Sequence, residues 1–194
     1  MNKIKFGLKN VHYAIITEEA IDGTVTVNYA TPVPHRGAVT LVLNSTAEKT
    51  SIAADDIAEY ATAYDNKGYD GELEMHNLDD DFRVNVLGEK KDANNVIYES
   101  EDTQPKKIAL LFEMAGDKKK TRHILYNCSV SKPNLETSTK GGSIESKSDK
   151  LTFSASASAD KGHIKAKINQ GDAQYENWFK TVYIPTETAQ TTEE

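Results

Sequence analysis

Strict alternation of apolar and polar residues constrains the fold of this chain more than any other feature. In residues 151–159, LTFSASASA, a leucine, a phenylalanine and three alanines alternate with a threonine and three serines. Side chains of a β-strand point alternately to opposite faces, so the pattern predicts a strand with one buried and one solvated face. Residues 24–30, TVTVNYA, alternate in the same way after Asp22-Gly23, a step typical of a tight β-hairpin turn.

Further strands are predicted at residues 11–17, 38–44, 69–78, 108–114 and 121–131. Residues 108–114, IALLFEM, are apolar on both faces except at Glu113, so they are expected to form a central strand. Roughly eight to ten short strands and one helix follow from these patterns. The predicted fold is mainly β, an antiparallel β-sandwich or barrel with one flanking α-helix.

The helix is predicted at residues 80–87. Asp79 or Asp80 can accept hydrogen bonds from the free amides of its first turn. Leu78, Phe82 and Val86 recur every four residues and mark its buried face. A glycine follows at the position where helices commonly end.

Residues 49–68 carry few large aliphatic side chains and are rich in alanine, acids and tyrosine. Ile52, Asp56, Tyr60 and Tyr64 are spaced by four, which leaves a short helix open. We interpret the segment as a long loop, because it would pack poorly against a core. Long loops in compact domains tend to be functional or disordered. One domain is expected over residues 1–185, followed by a disordered tail at residues 186–194.

The formal net charge of −7 argues against a free nucleic-acid-binding domain, which is normally basic. One cysteine cannot form an internal disulfide, so nothing indicates an oxidising compartment. We expect no signal peptide and no membrane-spanning segment, because no apolar run is long enough for either.

Residues 121–131, TRHILYNCSVS, place His123 and Asn127 near the single cysteine, Cys128, which raises the possibility of a thiol enzyme. On a strand, however, residues five apart point to opposite faces and stand about 16 Å apart. We therefore predict that Cys128 is a buried, inert core residue.

No other pattern indicates catalysis or a resident cofactor. The five histidines are scattered, and zinc would require more cysteines. The aspartates at residues 79–81 lack the ligand spacing of a calcium loop and fit helix capping better. Glu72 and Glu74 share a strand face, but adjacent acids are common in an acidic protein. The basic run KKKTR, residues 118–122, is expected on a solvated hairpin turn; contact with DNA or an acidic neighbouring subunit is the alternative.

Several segments, in order, resemble the major tail tube proteins of long-tailed bacteriophages with flexible, non-contractile tails that infect Gram-positive bacteria. They are KIKFGLKNVHYAIIT, TPVPHRGAVTLVLN, AADDIAEYATAYDNKGYDGELEM, LDDDFRVNVLGE, KKIALLFEMAGDKKKTRHILYNCSVSKP and YENWFKTVYIP. The resemblance covers almost all of the chain before the last nine or so residues.

This resemblance implies a structural virion protein with the fold of phage tail tube proteins. Six copies would form a ring whose sheets join into a continuous inner barrel. Rings would stack around a tape-measure protein, meet tail terminator and initiator proteins, and form a conduit for DNA without binding it. Assembly would take place in the host cytoplasm, with no membrane partner.

The same resemblance implies that residues 49–69 reach the next ring. Candidate contacts between subunits are Asp55, Asp56, Tyr60, Tyr64 and Tyr69. Tyrosine suits such a role because it offers apolar area and a hydroxyl at low entropic cost. The acidic balance fits a lumen through which DNA must slide.

Two other classes stay open on the sequence. A monomeric immunoglobulin-like binding or adhesion module would be a stable monomer with a secretion route. An enzyme would need a convergent polar site, which the sequence does not supply.

Overall fold

A computed structural model describes residues 7–134 and 148–186 of the chain. Over these residues the protein forms thirteen β-strands, one short α-helix and one 3₁₀ turn. The strands are β1 Leu8–Ile21, β2 Thr24–Tyr29, β3 Val33–Pro34, β4 Ala38–Ser45, β5 Glu48–Ala54, β6 Ile57–Asp65, β7 Tyr69–Met75, β8 Lys90–Lys91, β9 Ile97–Tyr98, β10 Ile108–Met114, β11 Arg122–Val130, β12 Asp149–Ser156 and β13 Lys165–Ile168. Helix α1 is Asp80–Asn85, and the 3₁₀ turn is Tyr175–Asn177. The predicted mainly β fold with one flanking helix is confirmed.

The main sheet is antiparallel and has the strand order β2-β1-β10-β11-β12-β7-β4, with β3 added to β1 and β13 added to β11. Strand β12, which shows the cleanest alternation, pairs with β11 on one side and β7 on the other. Strand β12 is therefore an interior strand of the sheet. Strands β2 and β4 are the edges instead.

The alternation predicts burial correctly. In β12, Leu151, Phe153 and Ala155 are buried, whereas Thr152 and Ser154 are exposed. Leu151, Phe153 and Ala155 belong to the larger hydrophobic cluster, which we call core 1. The strand ends at Ser156, three residues before the predicted end.

A second cluster, core 2, lies on the opposite face of β1, β10 and β11. It contains Leu111, Ile124 and Tyr126 from the sheet, and it is covered by Tyr175 and Trp178 from the C-terminal segment. Strand β10 thus contributes to both clusters and is buried on both faces, as predicted for a central strand.

Helix α1 packs on core 1 through Phe82, which is 1 % exposed. The Asp79 carboxylate accepts a 2.7 Å hydrogen bond from the Phe82 amide and caps the helix. Leu78 and Val86 are buried beside it. Gly88 has a φ of +81°, and a Cβ there would lie 2.5 Å from the Gln104 carbonyl oxygen, which explains the glycine. The helix ends two residues earlier than predicted.

The prediction of a loop or a short helix at residues 49–68 is wrong. This segment is a β-hairpin, β5 and β6, which forms its own two-stranded sheet. Its turn is Asp55-Asp56, and both residues have a positive φ, 52° and 62°. The spacing of four misled the prediction, because four residues are about one helical turn and also two full periods of a strand.

The Asp22-Gly23 turn is confirmed, with φ values of 50° and 79°. Strand β1 pairs with β10 only as far as Ile15, and from Thr17 to its end it pairs with β2 alone. Residues 17–28 therefore form a two-stranded extension of the sheet, which we call the arm.

The domain bounds, residues 1–185, stay a prediction. Of the predicted disordered tail, residues 187–194 lie outside the part of the chain that the structure describes.

Candidate assembly surfaces

Four of the five predicted inter-subunit contacts lie together on the β5–β6 hairpin. Asp55 and Asp56 form its exposed tip. Tyr60 and Tyr64 are 61 % and 74 % exposed, and their spacing of four places them on one face of β6. Exposed tyrosines are enriched at protein–protein interfaces, so the hairpin combines apolar contact area with a negatively charged tip.

Tyr69, the fifth candidate, lies elsewhere. It begins β7 in the main sheet and is half-buried. The Lys165 ammonium lies 4.3 Å from its ring centroid and donates a 2.8 Å hydrogen bond to its hydroxyl. Tyr69 is thus engaged by its own subunit, and it is a weaker candidate than the two hairpin tyrosines.

Two strand edges offer a second kind of surface. The outer sides of β2 and β4 have no strand partner among the described residues. On β4, Val39 and Val42 are 38 % and 47 % exposed. Free edges present unpaired amides and carbonyls that pair readily with another strand.

The outward face of β4, β7 and β12 is polar and acidic. Strand β7 places Asp70, Glu72 and Glu74 there, beside hydroxyl and amide side chains of the flanking strands. Hydrogen bonds from Ser148 and then Thr40 lower the pKa of Glu74. Core 1 fills the other side of these strands.

Each glutamate of this face has a structural partner. Glu74 accepts hydrogen bonds from Ser148 and Thr40, and Glu72 lies 3.4 Å from the Lys150 ammonium. This arrangement explains both acids without a hydrolytic role.

Cys128 is buried at 1 % exposure in core 1, and this burial raises the pKa of its thiol to about 12. The predicted opposite orientation of His123 and Cys128 is wrong. Between the pairs Leu110–Leu125 and Ile108–Cys128, β10 advances two residues while β11 advances three. This β-bulge reverses the alternation, so both side chains face core 1. The two residues are still five positions apart along the strand.

The basic run at residues 118–122 is divided by the fold. Lys118, Lys119 and Lys120 are exposed on the β10–β11 turn, as predicted. Arg122 instead packs inward, with its guanidinium carbon 3.7 Å from the ring centroid of Tyr175. Sequence reasoning missed this role, although the lone acid Glu113 in an apolar strand signalled that a buried cation was needed.

Within residues 7–134 and 148–186, no cluster of histidine, cysteine, aspartate or glutamate side chains could hold a metal ion. In the same ranges, no helix is long and apolar enough to cross a membrane.

A family model described as "Phage tail tube protein" matches residues 2–159. The chain belongs to this family. The tail tube protein is accordingly a structural component of a phage tail and hence of the virion, and its family is not a family of enzymes. No curated protein matched the chain.

The family match ends before β13 and the C-terminal segment, yet both are integral to the tail tube protein. Ile168, Tyr175 and Trp178 lie beyond the matched residues and are 9 %, 4 % and 2 % exposed in core 2. Trp178 also donates a hydrogen bond from its indole nitrogen to the His123 carbonyl.

Proposed function

We propose that this tail tube protein self-assembles into hexameric rings, which stack into the tube of a long, non-contractile tail. The tube surrounds a tape-measure protein during assembly in the host cytoplasm and later conducts DNA during ejection. Terminator and initiator proteins contact the two ends of the tube. We also propose that the phage infects a Gram-positive bacterium.

The observation that carries the proposal is the pair of free strand edges on one antiparallel sheet, in a chain of this family. An edge of one subunit that pairs with the other edge of its neighbour makes a head-to-tail contact. Such a contact closes into a ring when the rotation between subunits permits it. The valines exposed on β4 add apolar area to the edge.

Stacking of rings is assigned to the β5–β6 hairpin. The hairpin forms a separate sheet outside the nine-stranded one. Asp55, Asp56, Tyr60 and Tyr64 are its exposed contact residues, and Tyr69, at the start of β7, is the weaker candidate. Aromatic area at low entropic cost suits a contact that is repeated along the whole tube.

The acidic face of β7 is assigned to the lumen. Carboxylates repel phosphates, whereas lysine and arginine would retain DNA. Lys150 is the one cation described beside these acids, and Glu72 pairs with it. A charge map of an assembled ring with a net basic lumen would contradict this assignment.

Negative-stain electron microscopy across a concentration series, with light scattering in parallel, tests the proposal. Rings or tubes with a lumen wide enough for duplex DNA are expected. A persistent monomer at high concentration would favour the binding-module alternative, which family membership otherwise disfavours.

A variant carrying Tyr60→Ser and Tyr64→Ser tests the stacking role. We expect rings to form while tubes become short or absent. The matched control is Tyr98→Ser, because Tyr98 is 46 % exposed on a different small sheet. Normal tubes in the double variant would show that the hairpin does not form the stacking contact.

A further inference from the structure

The tip of the arm carries an exposed apolar side chain that the fold does not use. Ile21 is 67 % exposed, the highest value for a large aliphatic side chain in the part of the chain that the structure describes. It precedes the Asp22-Gly23 turn, at the end of a two-stranded extension that has left β10. An isoleucine held at a protruding tip loses little conformational entropy on binding, because its backbone is already fixed.

An apolar groove lies at the other end of β1. It has a volume of about 450 Å³ and runs between the start of β1, the end of β10 and the edge strand β4. Leu8, Leu41, Leu43, Phe112 and Met114 line it. A groove of this kind beside a free strand edge has the size and lining needed for an aliphatic side chain.

The charges around the two features are complementary. The arm has no basic residue in residues 17–28, and it contains Glu18, Glu19 and Asp22. Glu18 pairs with Lys107 of its own subunit at 2.8 Å, so Glu19 and Asp22 supply the negative charge at the tip. The β10–β11 turn begins at the end of the groove, where the Ala115 amide donates a 2.7 Å hydrogen bond to the Gly7 carbonyl. This turn exposes Lys118, Lys119 and Lys120.

The tip cannot reach the groove of its own subunit. Leu8 lines the groove and Ile21 ends the same 14-residue strand. At ~3.3 Å per residue, the two positions stand about 40 Å apart. The groove must therefore be filled by a different copy if an arm fills it.

We propose that Ile21 of one tail tube protein inserts into the groove beside β4 of another copy, with the carboxylates of the arm against the lysine turn. This inference rests on the proposed assembly and names a contact within it. The knob and the groove are different surfaces, so the contact is head-to-tail and can close a ring or extend a chain.

Cysteine cross-linking tests the contact directly. The pair Ile21→Cys and Val39→Cys places one thiol at the tip and one on the wall of the groove. The native Cys128 is buried and does not interfere. Mild oxidation of assembled particles is expected to give a ladder of covalent oligomers. The control pair, Val96→Cys and Val39→Cys, uses a residue just before β9 that is 55 % exposed.

A second variant measures the apolar part of the contact. Ile21→Asp is expected to lower the assembled fraction at least tenfold, whereas the control Val96→Asp, at a residue that is 55 % exposed, leaves assembly unchanged. The exposure of Ile21 means that the folded monomer keeps its stability, which an unfolding curve verifies. Glu19→Lys should weaken assembly, and adding Lys119→Glu should restore it.

The outcomes separate this inference from the proposed function. Two results together would overturn the contact while leaving the proposed tube intact. They are normal tubes from Ile21→Asp and no ladder of oligomers from the pair Ile21→Cys and Val39→Cys. A disulfide between Ile4→Cys and Val39→Cys without a ladder would assign the groove to the N-terminal segment of the same chain. Failure of the unmodified protein to assemble at any concentration would overturn both proposals together.

Discussion

Arg122 and Glu113 are register neighbours on β11 and β10, and the guanidinium Nε of Arg122 lies 3.5 Å from a carboxylate oxygen of Glu113. Glu113 is 2 % exposed. The Lys9 ammonium and the Asn10 side-chain amide reach the same carboxylate, each at 3.0 Å. Arg122 also donates to the Tyr175 carbonyl oxygen, so this buried acid links the central sheet to the C-terminal segment.

Replacing this acid should reduce stability at neutral pH. Burial disfavours ionisation of Glu113, but hydrogen bonds from Lys9 and Asn10 and the nearby positive charges outweigh it and lower its pKa. Glu113→Gln leaves Arg122 without its carboxylate partner. We expect a loss of about 2 kcal/mol in the free energy of unfolding, measured by urea titration at pH 7.

The sign of the pH dependence follows from the lowered pKa. The contribution of Glu113 is present above the pKa of the unfolded chain and is lost as the pH falls through the folded pKa. The difference between the wild-type protein and Glu113→Gln should therefore shrink in acid. Glu101→Gln, at an exposed position, is the control. A difference that grows in acid would contradict the assignment.

The C-terminal segment should be required for folding even though it lies outside the family match. Trp178→Ala removes the largest side chain that covers core 2 and should cost about 3–5 kcal/mol. Val96→Ala, at a residue that is 55 % exposed, should change stability by less than about 0.5 kcal/mol. Chemical denaturation of both variants measures the contrast. Equal stabilities would mean that the segment is dispensable.

Gly71 leaves space for an aromatic ring of core 1. A Cβ at this position would lie 2.3 Å from the Phe153 ring. Gly71→Ala should therefore destabilise the protein by about 1–3 kcal/mol through overpacking. Phe153→Leu, added to Gly71→Ala, should recover part of the loss. Strictly additive effects in this double-mutant cycle would show that the two residues do not interact.

The thiol of Cys128 should be unreactive toward alkylating reagents in the folded protein. Its pKa of about 12 and its burial leave almost no thiolate at neutral pH. Iodoacetamide is expected to label the protein only after denaturation in urea, as followed by mass spectrometry. Labelling of the native protein at pH 7 within minutes would contradict the buried, inert assignment.

Much of the fold could be predicted because local signals agreed with it. The burial of Leu151 and Phe153, the Asp79 cap, and the Asp22-Gly23 turn each depend on residues within a few positions of one another. The hairpin at residues 48–65 was missed because Tyr60 and Tyr64 fit two periodicities equally. Nothing within that segment distinguishes the helical period from the strand period.

The candidate surfaces were predicted less completely. Tyr60 and Tyr64 lie exposed as a contact surface requires, whereas Tyr69 is engaged by Lys165, which lies 96 residues away in sequence. The free edge of β4 and the groove beside it depend on which strands become neighbours. Those features had no signal in the sequence.

The sequence by itself determined that this chain is a mainly β protein of the phage tail tube family, because strand periodicity, turn chemistry and family patterns are carried by residues close together in the chain. Tertiary structure alone decided which strands are edges, that a bulge turns Cys128 toward the face of His123, and that Arg122 meets Glu113. These depend on long-range pairing, where the free energy comes from contacts between segments that carry no local mark of one another.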